Sequence, residues 1–417
     1  MKILVVGSGG REHTILWKLK QSPRVTGLYC IPGNGGISDI AECVPISAMD
    51  IEGIVCFAKK EGIDLVVVAP DDPLAAGMVD VLEKEGIRAF GPRKNAAILE
   101  ASKVFSKDLM KKYNIPSAAY ESFDNSKAAK EYVKSAKMPL VVKADGLALG
   151  KGVLICNTLE EALDAISSIM EDKKFGTAGQ RIVIEEFMTG PEVSVLAFTD
   201  GKTIIPMESS QDHKRAHDND QGLNTGGMGT FSPSRVYTKE LQDLCMETIF
   251  IPTINAMSLE GRPFKGVLFF GLMLTHEGPK VLEYNARFGD PETQVILPRL
   301  QNDLLDIFEA VIDEKLDTIK LSWMQNTAVC VVMASGGYPE KYIKGYEIKG
   351  LDSVEKDIMI FHAGTKKENN KYYTNGGRVL GVTALAENIE KAREKAYNAI
   401  AAIEFKDAHY RRDIGIK

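Results

Sequence analysis

The chain has no Cys-x-x-Cys pair; its six cysteines stand singly at 30, 43, 56, 156, 245 and 330. Thiols without ligand spacing exclude a disulfide framework and a zinc finger, and they indicate a reducing cytoplasm. His213 and His217 lie four apart, but no Glu follows His213 and no cysteine is near, which argues against a structural metal there. There is no excess of positive charge: 51 Lys and Arg against 57 Asp and Glu leave a net charge of −6. That excludes a nucleic-acid footprint and a basic membrane surface, while leaving room for a local anion pocket. No apolar run approaches membrane-spanning length, residues 266–274 being among the longest. The opening run to Gly7 is too short for the apolar core of a signal peptide and reads as a buried first strand. Neither a fixed-period repeat nor a low-complexity segment is present.

What remains is a chain of 417 residues, 44% hydrophobic and 26% charged, long enough for two to four domains. Residues 3–6, 27–31, 64–69 and 88–90 read as strands, with helices at 12–20, 51–60 and 74–85 between them. Strands alternating with helices predict a parallel sheet covered by helices, closed at Pro92. Residues 102–321 are mixed, with strands at 140–144, 153–156, 182–185, 193–198 and 203–207 and a helix at 159–170. Residues 211–233 form a long polar, Gly-rich stretch that reads as a functional or disordered loop. A strand pair at 267–275 and 280–285 follows. The third unit begins near 322, with strands at 328–334, 359–364, 371–374 and 378–384 and a helix at 389–403.

The densest chemistry lies in residues 283–294. Glu283, Asn285 and Arg287 alternate, so on a strand all three project from one face. A carboxylate and a carboxamide oxygen aimed at one point suit Mg²⁺ held jointly with phosphates, and Arg287 adds an anion clamp. Taken alone, the segment reads equally as a solvated strand end. Gly7-Ser8-Gly9-Gly10-Arg11-Glu12-His13 follows a strand and opens a helix. It fails as a dinucleotide fingerprint because Glu12 stands where the third glycine belongs. It reads as a phosphate-binding turn, or as a tight turn with no ligand.

Lys143 and Lys151 bracket a glycine-rich hairpin containing Gly146, Gly150 and Gly152, a flap suited to phosphates; a Walker A loop is excluded because no Ser or Thr follows Lys151. Residues 183–192 end an apolar strand in Glu185, Glu186, Phe187 and Met188, then Glu192: either a strand end or apolar walls and acceptors for a nucleoside. Asp212 and Lys214 open the polar stretch and suit a small polar substrate, unless it is simply a surface loop. Arg378, after two glycines, is either a phosphate clamp or an edge-strand arginine.

Taken in order, these segments resemble the phosphoribosylamine–glycine ligase (glycinamide ribonucleotide synthetase) family of the ATP-grasp superfamily. The resemblance rests above all on Asn224-Thr225-Gly226-Gly227-Met228-Gly229 and on Glu283-x-Asn285-x-Arg287-Phe288-Gly289-Asp290-Pro291-Glu292, and it covers residues 1 to about 412. It implies an α/β and α+β multidomain chain. The parts would be a preATP-grasp parallel-sheet domain (1–101), a two-lobed ATP-grasp unit (102–321, with a mobile lobe about 118–190) and a small α+β C-terminal domain (322–417). It implies a cytoplasmic monomer that joins glycine to 5-phosphoribosylamine, using ATP and Mg²⁺ or Mn²⁺, with no nucleic acid or membrane partner.

By the same resemblance Lys103 and Lys143 would contact ATP phosphates, under the flap that carries Gly146, Gly150, Lys151 and Gly152. Glu185 would take part in binding ATP, the backbone of Glu186, Phe187 and Met188 would meet adenine, Glu192 the ribose, and Glu283 and Asn285 the metal. Arg287, Asp290 and Asp212 are the catalytic candidates. Gly9, Gly10, Asp71, Lys214, Gly289, Pro291, Glu292 and Arg378 are candidates for binding the other substrates. Three positions depart from the family pattern. Asp71 stands where Glu is expected and must reach one methylene further. His217 and Asn219 replace glycines, and Leu149 replaces a small residue in the flap. The rival readings are a sibling ATP-grasp ligase or carboxylase, a nucleotide-binding regulatory module without catalysis, and a dehydrogenase, the last disfavoured by Glu12.

Overall fold

A computed structural model describes residues 1–147 and 152–416. The N-terminal unit is a parallel five-stranded sheet, in the order Glu42–Cys43, Gly27–Pro32, Lys2–Gly7, Leu65–Val68, Ala89–Phe90. Its central strand is apolar on both faces because both faces are covered. Leu4 and Val6 enter one core and Ile3 and Val5 another, all fully buried. Helix Ile51–Glu61 starts where the Asp50 side chain accepts the Gly53 N–H and ends at Gly62 in the left-handed region. The single helix expected over 74–85 is two, Asp71–Ala76 and Met78–Lys84. Gly77, at φ +96°, breaks the helical path between them.

An antiparallel lobe follows, in the order Tyr120–Phe123, Ile182–Glu186, Leu140–Ala144, Val153–Cys156. Helices Ser126–Val133 and Leu159–Ile166 cover it, and it encloses its own apolar core around Val142, Ile166 and Ile184. The chain leaves the lobe at Gly190, φ +149°, where a Cβ would lie 2.1 Å from the Leu274 carbonyl oxygen. Only glycine permits that close crossing. Beyond it stands a second antiparallel sheet, in the order Ile204–Pro206, Glu192–Asp200, Lys265–Thr275, Gly278–Asn285.

The stretch 211–233, expected as a polar loop, is largely β-structure. Gln211–Asp212 pairs with Gly229–Ser232, which pairs with Thr327–Ala334 of the C-terminal sheet. That sheet continues through Arg378–Ala386 to Met359–His362, and helix Ile389–Ala401 packs on it. Long-range pairing overrides the local Gly-rich composition, because Thr230, Phe231 and Ser232 are buried against the C-terminal unit. The turn at its tip is a second hairpin, Arg215–His217 with Gln221–Asn224. All six cysteines are unbridged. Among the described residues no helix is long and apolar enough to cross a membrane.

Candidate active site

The cleft between the lobe and the second sheet collects most of the charged residues singled out above. Strand Gly278–Asn285 bulges between the pairings of Val281 with Leu272 and of Glu283 with Gly271. The extra residue, Leu282, shifts the alternation, so Val281 and Tyr284 both enter the core while Glu283 and Asn285 face the cleft. The bulge also presents the Leu282 carbonyl to Lys143 Nζ at 3.2 Å. Arg287 continues the row, its Nη2 donating to Asn285 Oδ1 at 3.3 Å.

Lys143 enters from the lobe and pairs with Glu185 Oε2 at 2.9 Å. Lys103, at the start of helix Lys103–Lys112, donates to the Gly146 carbonyl at 2.9 Å and so ties the flap base to the cleft. Lys214 reaches in from the strand-rich stretch, 3.1 Å from Glu192 Oε2 and 3.7 Å from Glu283 Oε1. Its ammonium is held above the ordinary lysine range, first by Glu192 and then, against burial, by Glu283 and Asp212. Burial pushes the Glu283 carboxyl up, but Lys214, Lys143, Lys103 and Arg287 outweigh it, so the group is a stable carboxylate.

Arg287 is fixed by Glu100, 3.0 Å from its Nη2, whose other oxygen accepts the Ala286 N–H at 2.7 Å. Asp71 opens helix Asp71–Ala76 and lies close enough to Glu100 and Arg287 to act on both electrostatically. Asp290 accepts from Arg11 N at 3.3 Å and from Gln294 Nε2 at 2.8 Å, with Arg378 Nη1 3.5 Å away. Burial raises its carboxyl, and Arg378 and Arg11 more than reverse that. Asp212 and Glu292 behave oppositely. Burial, with the Glu292 charge added, raises Asp212 well above the carboxylate range, and burial raises Glu292 also. Gly289 lets Glu292 fold back, since a Cβ there would meet Glu292 Oε2 at 2.3 Å. Gly227 (φ +113°) lets the chain pass Pro291 and Asp212 Oδ1, 2.5 and 2.8 Å from a built Cβ.

Two expected anion sites are otherwise engaged. The Gly9 N–H donates to Glu12 Oε2 at 2.5 Å, and a Cβ on Gly10 would meet Gln294 Nε2 at 2.6 Å. Glu12 is buried there and closes the helix start, which explains a carboxylate in a glycine-rich turn. Arg378 donates through Nη1 to the carbonyls of Gly226 and Asp290, each at 2.7 Å, and so ties the C-terminal sheet to the cleft. Gly150 and Lys151 lie outside the described residues; Gly152 closes the hairpin by accepting the Ala144 N–H at 2.8 Å.

Glu186 and Phe187 are exposed at the lobe edge, Glu186 Oε1 accepting the Ala119 N–H at 3.0 Å. Met188 packs with Ala118, Met273 and Leu282 in a small apolar cluster between lobe and body. Ala118, Met273 and Leu282 were not singled out from the sequence, nor were Glu100, Arg11 and Lys107. Lys107 carried a signal: it lies four residues after Lys103, on the same helix face. Several polar atoms in this region are buried without a protein partner among the described residues: Glu185 Oε1, Asp212 Oδ1, Arg287 Nε and Gln294 Oε1. Such atoms are completed by water, an ion or a ligand.

Two antiparallel β-lobes with lysines between them, facing a carboxylate–carboxamide row, define an ATP-grasp ligase. Comparison with known proteins gives the particular family. Residues 1–100 match the phosphoribosylglycinamide synthetase N domain, 101–293 its ATP-grasp (A) domain and 328–417 its C domain. The phosphoribosylamine–glycine ligase of Halalkalibacterium halodurans is 49% identical, over 100% of this chain and 97% of that one. The crystal structure of phosphoribosylamine–glycine ligase from Thermotoga maritima superposes with a TM-score of 0.87 at 33% identity, covering 100% of both chains. A biotin carboxylase from Campylobacter jejuni shares the fold at a TM-score of 0.75 and 14% identity, covering 99% of this chain and 93% of that one. The chain belongs to the phosphoribosylglycinamide synthetase family.

Proposed function

We propose that this chain joins glycine to 5-phosphoribosylamine with cleavage of ATP, through glycyl phosphate, and that the cleft residues divide the work as follows. A carboxylate is a poor acyl donor because oxide would have to leave; phosphorylation supplies phosphate as the leaving group. The glycine carboxylate attacks the γ-phosphorus of ATP and releases ADP. The amine of phosphoribosylamine then attacks the acyl carbon, loses a proton and expels phosphate. The chemistry asks chiefly for positioning and for charge neutralisation.

Lys103 and Lys143 hold the ATP phosphates beneath the flap. The base lies against Met188, Met273 and Leu282, with the main chain of Glu186–Met188 at its edge, and Glu192 takes the ribose. Glu283 and Asn285 hold the divalent cation, which neutralises phosphate charge when bound. Their fit is by chemistry: two hard oxygens on one strand face. Among the described residues no group of three or more His, Cys, Asp or Glu is arranged to bind a metal; in this reading the ATP phosphates would supply further oxygens. Arg287, fixed by Glu100, steadies the transferring phosphoryl group. Asp290 and Asp212 face the glycine ammonium, with Glu292 beside them. Asp71 borders the sugar phosphate; Gly9 and Gly10 shape the turn beside it, and Arg378 anchors the C-terminal sheet there. Functional units at 1–101, 102–321 and 322–417 accommodate this arrangement, with strands Gln211–Asp212 and Gly229–Ser232 joined to the third unit's sheet. A reducing cytoplasm suits the free thiols, and the reading needs one copy of the chain.

The observation that carries this reading is the convergence of Lys143, Lys214, Glu283, Asn285 and Arg287 on one cleft. The test is the substrate dependence of ADP release. ADP should form only when glycine and phosphoribosylamine are both present. Comparable ADP formation with another amine acceptor would overturn the assignment in favour of a sibling ligase.

A further inference from the structure

Lys107 plays no part in the scheme above, yet it is 2% exposed and sits on the same carboxylate as Lys143. Its Nζ is 3.2 Å from Glu185 Oε2, the oxygen that Lys143 reaches at 2.9 Å. Each lysine has a second acceptor. Lys107 donates to the Ala118 carbonyl at 3.3 Å and Lys143 to the Leu282 carbonyl at 3.2 Å. Ala118 and Leu282 are members of the apolar cluster with Met188 and Met273. The Glu185 carboxylate is therefore pinned beside that cluster through one oxygen. The other oxygen, Oε1, is buried and has no protein partner among the described residues.

We infer that Lys107 is a positioning residue for nucleobase selection: with Lys143 it holds the Glu185 carboxylate by Oε2, leaving Oε1 to accept from the 6-amino group of an adenine base. This rests on the reading of the apolar cluster as the base site. A carboxylate engaged on one oxygen by two ammonium groups offers an acceptor and no donor at the other. An amino group at the purine 6-position satisfies it; an oxo group there leaves two acceptors facing each other. Sites built this way reject the wrong group strongly, because the buried atom is left unpaired. Burial lowers the Lys107 ammonium to about 8, against the pull of Glu185, so the charged form prevails at neutral pH. A lysine that merely neutralised Glu185 would not require a carboxylate oxygen without a partner beside an apolar cluster.

The experiment compares ATP with GTP in the full-length chain, by steady-state kinetics and by equilibrium binding. Lys107→Met should raise KM for ATP about tenfold, the loss of one charged hydrogen bond. It should leave kcat within about threefold and KM for GTP within about twofold, so the ATP:GTP preference falls. Glu185→Gln should lower the preference further, because its carboxamide turns the oxygen to the lysines and an N–H donor to the base. Equal changes for both nucleotides in Lys107→Met, or a fall in kcat with the ratio intact, would reduce Lys107 to a structural role and overturn the inference. A ratio unchanged in Glu185→Gln would instead remove the base site itself, and the inference with it. If Lys107→Met does not fold, Lys107→Gln serves: it keeps a neutral donor to Glu185, and a smaller shift in the same ratio is expected, with no shift refuting the role.

Discussion

Replacing Arg287 with methionine removes the guanidinium and keeps most of the apolar stem. The Arg287–Glu100 pair spans 3.0 Å, with side chains only 19% and 8% exposed. At that separation and an effective dielectric constant near 20, the two charges attract by about 5 kcal/mol. Removing one partner of a buried pair destabilises by about 3–5 kcal/mol, because the other charge is left without compensation. The loss should be smaller here. Glu100 keeps the Ala286 N–H, and its carboxyl, already raised by burial, can take up a proton. A loss of about 2–3 kcal/mol and a melting temperature lower by several degrees are expected. Turnover should suffer more. Removing one preorganised group that meets developing charge lowers kcat by roughly 10²–10³-fold. ADP release at saturating ATP, glycine and phosphoribosylamine, measured beside thermal melting, separates the two effects. A kcat within about threefold of wild type would refute the catalytic role, and a lowered melting temperature with intact kcat would leave Arg287 as a partner of Glu100 alone.

Glu283→Ala should raise the Mg²⁺ concentration needed for half-maximal ADP release by about tenfold or more, since one of two hard oxygens is lost; an unchanged Mg²⁺ titration would remove Glu283 from the metal. The contact between the first and third units should respond to acid. His13 Nδ1 accepts the His362 N–H at 2.8 Å, and burial pushes His13 down to about 3 and His362 to about 4. Both pKa values are lower in the folded chain, so the unfolded chain binds more protons between them and pH 6.5. The stabilisation is complete above pH 6.5 and is lost as pH falls, with His13 alone contributing a loss of about 2 kcal/mol by pH 5. His13→Gln should reduce the fall in melting temperature between pH 7 and about 5, leaving the part due to His362; a slope equal to that of wild type would refute the assignment.

Much of the cleft was legible because its residues lie on one strand. Two-residue alternation places Glu283 and Asn285 on one face whatever they pack against, and Arg287, two residues past the strand end, continues the row. The parallel sheet was legible for a related reason: residues 3–6 and 65–68 are apolar without alternation, as strands covered on both faces must be. Lys107 and Glu100 were missed because their partners, Glu185 and Arg287, are remote in sequence. The bulge at Leu282 leaves no local signature, since it is defined against Gly271 and Leu272 on the neighbouring strand.

The sequence by itself determined the order of parts, the strand–helix alternation of the first unit and the chemical kinds of group along the cleft, since periodicity and side-chain identity are local properties. Only the tertiary structure decided which charges meet. It brought Lys214 from a stretch read as a loop to Glu283, and Arg378 from the third unit to Asp290. It placed Lys107 and Lys143 on one oxygen of Glu185. It also turned the Gly9 N–H from an expected anion to Glu12. Charge interactions depend on distance and burial, and in this chain both are set by pairings between residues far apart in sequence.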